Sequence, residues 1–551
     1  MIARVVTRSP RLVVTLAALL LVALGAVAAG TLDALSLNRY EAPGSESVAA
    51  RSALADLGTG TPNVALLVEA PGRTIDDPVV ARAATTLARD LAALPGVGDV
   101  RSAWSPGSPS TLASEDRTSG LVLAWVPGDA DHVRGTVLPT IQSEVVDPVQ
   151  APGTVAVTLG GGDEVFRVVA EQARTDFLRA ELIVLPLVGL LLWAVYRRVA
   201  PALATLATGV LAVVGALALL RVATTFTEIS TFASNIALVM GIGLGVDYGL
   251  FMVYRQREEL RAGRDVRSAT AATVRGAGRT VLFSGVTVAA SLAVLLVFPF
   301  PFLSSFAYAG VAVVVAAVVA AVVVLPALLV LLGTRVLRRS EAPAPTDRRE
   351  GRRWARLAGA VMRRPFLAGG GGVVVLLLLG SPALGIAFGA PDDRVLAGDH
   401  AVRTMYDTVR TDYTTEEADA VQVVLPDAAP GTSGDDDLAA YAARLSALPG
   451  VLRVDAAPGA FVDGTLSASP GPEDAVRFAP PGATTGTWLS VLPTGERLAA
   501  DPTGLVADVR AVDVPDGLGD RLVGGSPAEL TDYRDGVVER LPLVAALIAV
   551  V

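Results

Sequence analysis

Long uncharged apolar stretches alternate with two polar stretches along this chain. The apolar runs cover 12–30, 180–196, 201–220, 231–254, 280–298, 303–332 and 366–389, and another begins near Leu541. About 20 mostly apolar residues span a bilayer core of roughly 30 Å at roughly 1.5 Å per residue, and such spans must be helical because lipid leaves no partner for an open backbone. The pattern therefore predicts a polytopic α-helical membrane protein with seven spans and the start of an eighth. Because residues 541–551 read as a span cut short, the chain is expected to be an incomplete piece.

The polar stretches, 31–179 and 391–540, read as β-α-β-β-α-β units with alternating apolar positions and Pro-Gly turns. In the first, strands are expected at Val64–Glu69, Val97–Ala103, Leu121–Val126 and Thr154–Leu159, with helices at Pro78–Leu94 and His132–Val146. In the second, strands are expected at 419–425, 451–456, 487–493 and 519–523, with helices at 435–447 and 501–511. That order is the split βαβ, ferredoxin-like arrangement.

The two units are copies. Leu94-Pro95-Gly96-Val97 matches Leu448-Pro449-Gly450-Val451, Gly160-Gly161 matches Gly524-Gly525, and Arg8-Ser9-Pro10 matches Arg364-Pro365. A duplicated unit of span, outer domain and further spans is a transporter signature, and a complete second copy would run to about residue 690. The organisation expected is a first span at 1–30, an outer domain at 31–179, spans two to six at 180–333 and a basic linker at 334–365. A seventh span follows at 366–390, then a second outer domain at 391–540 and the opening of the eighth span at 541–551.

Charge sets the orientation. All 45 basic residues are Arg. Arg4, Arg8 and Arg11, Arg197 and Arg198, the group from Arg255 to Arg279 and the run from Arg335 to Arg364 share one side if the N-terminus is cytoplasmic. The polar stretches are acidic, with 11 Arg against 19 acids in 31–179 and 11 against 26 in 391–540, and fall outside. The layout fits a multi-pass protein of a bacterial inner membrane. Arginines, an apolar run and Ala26-Val27-Ala28 also fit a cleaved leader, but 363–389 repeats the layout where no leader belongs. With no Lys there is no phosphate-binding or Schiff-base lysine, and with no Cys no thiolate metal site or thiol nucleophile. No catalytic triad, cofactor, metal site or nucleic-acid surface is expected, and the chain does not read as an enzyme.

One residue breaks the apolar rule. Asp247 stands in the uncharged fourth span, where a carboxyl costs about 2.5–3.5 kcal/mol on insertion and by default marks an ion or proton path. A carboxyl shielded inside the bundle can take up and release a proton as water access alternates, and Tyr248 can donate to it or extend a relay. The bland alternative for Asp247 is a structural hydrogen bond to a neighbouring helix, and for Tyr248 simple packing. Gly241, Gly245 and Gly249 recur every four residues, which allows close helix packing.

The run Gly245-Val246-Asp247-Tyr248-Gly249-Leu250-Phe251, followed by Tyr254-Arg255-Gln256-Arg257-Glu258-Glu259, resembles the fourth span of MMPL transporters of the RND superfamily. Gly278-Arg279-Thr280-Val281-Leu282-Phe283-Ser284 resembles the entrance to their fifth span, and the element order is also theirs. The resemblance implies a polytopic membrane fold with two extracytoplasmic βαββαβ porter domains in an RND-like internal repeat. It further implies proton-driven export of lipids or hydrophobic compounds, with Asp247 and Tyr248 as proton carriers. Ser284 and Ser291 would line the relay or bond their own helix, and Gly241, Gly245, Gly249 and Phe251 would pack it. Expected partners are membrane lipids, the hydrophobic substrate, protons, and a homo-oligomer or accessory membrane proteins. Rival readings are a sterol-sensing-like lipid sensor and an accessory component of protein secretion.

The remaining features read as structural. Asp435, Asp436 and Asp437 suit a helix N-terminus, His132 and His400 surface or helix-start positions, Trp104 and Trp125 strand-end packing, and Pro186 and Pro326 helix kinks.

Overall fold

The uncharged stretches are helices in the computed structural model, which describes residues 2–36, 42–106, 108–150, 153–337, 348–385, 393–415, 417–428, 434–469, 477–478 and 485–551. Among them, six helices are long and apolar enough to cross a membrane: Pro10–Ala34, Val199–Ala223, Ala233–Arg261, Val266–Val297, Pro301–Val336 and Pro365–Ala383. The second stretch differs. Its apolar part, Leu182–Tyr196, is the far end of one helix, Gly162–Tyr196, which begins at an outer sheet and runs through Pro186 without a break. Part of the basic linker (338–347) and the end of the seventh span (386–389) lie outside the described residues.

Small residues let the bundle close. Ala216 of Val199–Ala223, Ala237 of Ala233–Arg261 and Ala309 of Pro301–Val319 are each 0% exposed in one cluster, so helix backbones approach where a Leu would hold them apart. Pro326 has no N–H for the carbonyl four residues back, and the helix widens into a π turn over Ala320–Val324 just before it.

Outside the bundle lie two antiparallel sheets. The first is ordered β2-β3-β1-β4, from β1 (Val64–Glu69), β2 (Val100–Ser102), β3 (Ser119–Ala124) and β4 (Ala156–Gly160). The second has the same core, β10-β5-β9-β6, from β5 (Val421–Leu425), β6 (Val451–Ala456), β9 (Thr487–Pro493) and β10 (Leu522–Gly524). It continues past β6 with a hairpin, β7 (Gly459–Val462) and β8 (Thr465–Ala468), that the sequence reading omitted. Asp463 and Gly464 at its tip both have positive φ, the two-residue turn that Asp-Gly favours.

Both faces of the central strands β1, β5 and β9 are covered, which is why these read as unbroken apolar runs. In β1, Val64, Leu66 and Val68 pack on the Pro78–Ala93 helix of the same outer unit through Val80, Leu87 and Leu91. The opposite face, Ala65 and Leu67, packs on Met405, Val409 and Tyr413, the first two from the Ala401–Asp412 helix of the second half. The exchange is mutual. Ala50 and Leu54 of Glu46–Asp56, the helix after the first span, lie against Val424 and Trp488 of the second sheet. Each outer unit is thus capped by a helix from the other repeat.

Each sheet joins its membrane-bound helix through a single glycine. Gly161 (φ +104°) stands between β4 and Gly162–Tyr196, and Gly525 (φ +93°) between β10 and Ser526–Val550. A Cβ on Gly161 would lie 2.3 Å from the Asn63 carbonyl, and one on Gly525 2.5 Å from the Ala420 carbonyl. Only glycine fits these joints, which leaves one residue between each sheet and its helix.

Candidate functional site

The glycine stripe decides which way the fourth span faces. A Cβ on Gly245 would fall 2.4 Å from the Gly209 Cα, and one on Gly241 2.6 Å from a Val213 methyl. At Gly249 the nearest atom is the Thr205 methyl, 2.7 Å away. The Ala233–Arg261 helix therefore lies backbone to backbone on Val199–Ala223, and Thr208 Oγ1 donates to the Gly245 carbonyl across the contact at 3.1 Å.

Asp247 is two residues from Gly245 and so about 200° around the helix. It lies on the outward face with Val239 (71% exposed), Gly243 and Phe251 (45%). Two expectations are corrected here. Among the described residues Asp247 is exposed, on the face of its helix opposite the glycine contact. Phe251 shares the outward face and does not join the glycine contact. Among the described residues the Asp247 carboxylate has no hydrogen bond and no ion pair.

Tyr248 turns the other way. It is 3% exposed, packed with Tyr196, Val281 and Ala321, and its hydroxyl is buried without a hydrogen-bond partner. The adjacent pair therefore does not hydrogen-bond to itself, since neighbours on a helix diverge by about 100°; of the readings for Tyr248, direct donation to Asp247 is not the one seen. The hydroxyl points toward Gly285 of the Ala277–Ala293 helix, where an added Cβ would stand 3.9 Å from it. Ser284 precedes that contact and is half-buried. Ser291 donates to the Thr287 carbonyl of its own helix at 3.0 Å. The structure thus brings Tyr248 to Gly285, the residue after Ser284, and leaves Ser291 satisfied locally.

Beneath the site is a buried polar layer that the sequence reading passed over. Arg257, 2% exposed, donates to the carbonyls of Val336 and Tyr196, both at 3.0 Å, and ties three helix ends together. Gln256 donates to Thr270 and accepts from Thr273, each at 3.0 Å, and all three are 0% exposed. In sequence these residues look like an ordinary charged cytoplasmic end; only packing reveals that they are enclosed.

The features read as structural are placed at helix starts and strand ends. His400 caps Ala401–Asp412, its Nδ1 accepting from Val402 at 3.3 Å, and Asp129 caps the turn that carries His132. Asp435, Asp436 and Asp437 fill the first turn of Gly434–Ser446. Trp104 Nε1 donates to the Ile75 carbonyl at 2.9 Å.

Comparison with known proteins points one way. The MMPL family profile matches residues 39–368. A membrane protein of Streptomyces coelicolor is 33% identical over 412 residues, 75% of this chain and 57% of that protein. The trehalose monomycolate exporter MmpL3 of Mycobacterium tuberculosis is 27% identical over 542 residues, 92% of this chain and 55% of the exporter. The chain spans about half the length of the curated relatives it matches. The cryo-EM structure of the hedgehog release protein Disp from the water bear Hypsibius dujardini shares the fold, with a TM-score of 0.53 at 13% identity over 99% of this chain and 82% of that one.

Proposed function

This chain belongs to the MMPL family, and on that premise we propose that it is a proton-motive-force-driven transporter exporting lipids or other hydrophobic compounds across a bacterial inner membrane. The N-terminus is cytoplasmic, the sheets are outside, and Asp247 carries the proton with Tyr248 and Ser284 in attendance. The observation that carries the reading is a Tyr248 hydroxyl buried without a partner next to Asp247, the one acid in the apolar part of that span. A span built for packing alone pairs such groups or omits them, since each is costly in hydrocarbon. The single-glycine joints carry a displacement of the spans directly into the sheets, where the substrate is passed on.

A lipid cargo is supported by the trehalose monomycolate exporters among the relatives. The test is a proteoliposome assay with the full-length protein, a pH gradient, and a trehalose monoester of a long-chain fatty acid as cargo. Asp247→Asn is expected to bring both proton flux and cargo movement to the protein-free background. Undiminished transport by that variant defeats the relay and favours a lipid sensor.

A further inference from the structure

The two outer units meet across charge as well as oil. At the centre is Glu417, whose side chain is 1% exposed. Arg101, on the edge strand β2 of the first sheet, reaches one of its carboxylate oxygens at 3.2 Å, and Arg453, on β6 of the second sheet, reaches the other at 2.7 Å. The Thr111 hydroxyl of the first unit donates to the same carboxylate. Arg453 also pairs with Asp455 at 2.8 Å. Beside this set, Arg477 of the second half pairs with Asp99 of the first at 3.1 Å and lies over the Trp488 ring at 4.9 Å. Three guanidinium groups thus meet three carboxylates, and contacts from both units converge on one buried oxygen pair.

Such a cluster is a poor choice for permanent attachment. Removing ions from water offsets most of their mutual attraction, and well-packed apolar side chains hold an interface as well or better. What an ionic surface does better is separate. Once parted, its charges are hydrated and soluble, whereas a parted apolar surface seeks another partner. Loss of one member is severe, however, because the remaining charges are left buried and unpaired.

We propose that the Glu417 cluster is a releasable latch between the two sheets, each keeping the helix exchanged from the other repeat, that holds them docked in one state and lets them part in another. Its role in transport rests on the reading above; the docking itself does not. Glu417 supplies the charge on which the two arginines converge, so its neutral isostere opens the latch. An apolar replacement of the cluster jams it shut.

The experiment uses the full-length protein, which over this stretch has no native Cys to interfere with labelling. Nitroxides on Arg89→Cys and Ala499→Cys report the separation of the units by pulsed electron resonance. Glu417→Gln is expected to lower the docked-to-parted ratio by about a hundredfold or more, seen as a longer and broader distance distribution. In Arg101→Met/Glu417→Leu/Arg453→Met/Asp455→Asn the distribution stays short and narrow while transport of the trehalose ester falls at least about tenfold, the size of one broken step. Unchanged distances in Glu417→Gln overturn the latch. So does wild-type transport by the apolar variant, which would make the cluster simple glue. A short reducible crosslink between Thr61→Cys and Gln422→Cys, whose native side chains touch at 2.6 Å, leaves the Glu417 cluster itself unaltered. It is expected to stop transport until reduced, and transport through the closed crosslink also refutes the latch. If the unmodified protein moves no cargo at all, the transporter reading fails, and the distances in Glu417→Gln still decide the latch.

Discussion

Asp247 and Glu417 are two carboxylates under opposite rules. Glu417 is enclosed and surrounded by donors, two arginines and a threonine hydroxyl, and these hold it ionised well below the ordinary carboxylate range, at about 2, against the pull of desolvation. Asp247 stands on an apolar helix with no donor among the described residues. The contrast separates two uses of a charge. A carboxylate held by three donors serves a contact between elements; one with no donor among the described residues does not. On the readings proposed above, the outer units use Glu417 for docking and the bundle uses Asp247 for the proton.

The sharpest way to break this comparison is to neutralise each acid and read both function and stability. Asp247→Asn is expected to abolish transport without lowering the unfolding temperature, because no partner among the described residues is lost. A large loss of stability, read by thermal unfolding in detergent, would mean that Asp247 has a structural partner and is not held in reserve.

The orientation of Asp247 depends on the glycine face, so filling that face comes next. Gly245→Val puts a side chain where a Cβ already meets the Gly209 Cα at 2.4 Å. Overpacking of this kind costs about 1–3 kcal/mol or more and rotates or lifts the helix. The expected result is a lower unfolding temperature together with lost transport, whereas Gly243→Ala, on the outward face with open space around it, leaves both intact.

Tyr248→Phe separates function from stability by sign. The hydroxyl it removes is buried without a partner, and such a group costs about 1–3 kcal/mol. The variant is expected to unfold at a slightly higher temperature and yet to transport more slowly, because the relay proposed above would lose a member. A drop in both would show that the hydroxyl is bonded, and that Tyr248 belongs to the packing.

How much of this was legible in the sequence follows from what periodicity encodes. Strands β1 and β9 coincide with the expected 64–69 and 487–493 because runs such as Val64-Ala65-Leu66-Leu67-Val68 between turn residues have one reading. The glycine contact followed from a four-residue repeat, since a missing side chain matters only where something approaches. The direction of Asp247 was legible in principle, two positions from Gly245, but a lone acid in an apolar run invites the assumption that it faces inward. The exchange of the Glu46–Asp56 and Ala401–Asp412 helices was not legible, because an amphipathic pattern says which face is buried and not against which sheet. The Glu417 cluster lay hidden for the same reason: its members are spread from Arg101 to Arg477, and each alone looks like a solvated surface charge.

The smallest effect expected is also the most discriminating between the two acids. Because Glu417 is held near 2 when docked, against about 4.5 for a free glutamate, the cluster stabilises docking fully above pH about 4.5. That contribution is lost only as pH falls toward 2. Across pH 5–8, then, the distance between labels on the two outer units should not move, while transport through an acid that exchanges protons should follow the imposed gradient. A docked distance that lengthens between pH 7 and pH 5 would mean that Glu417 takes up a proton in the working range, so that its arginines do not hold it as their geometry implies. The division of labour between a paired acid and a spare one would then fail at the outer end of the molecule, whatever Asp247 does in the membrane.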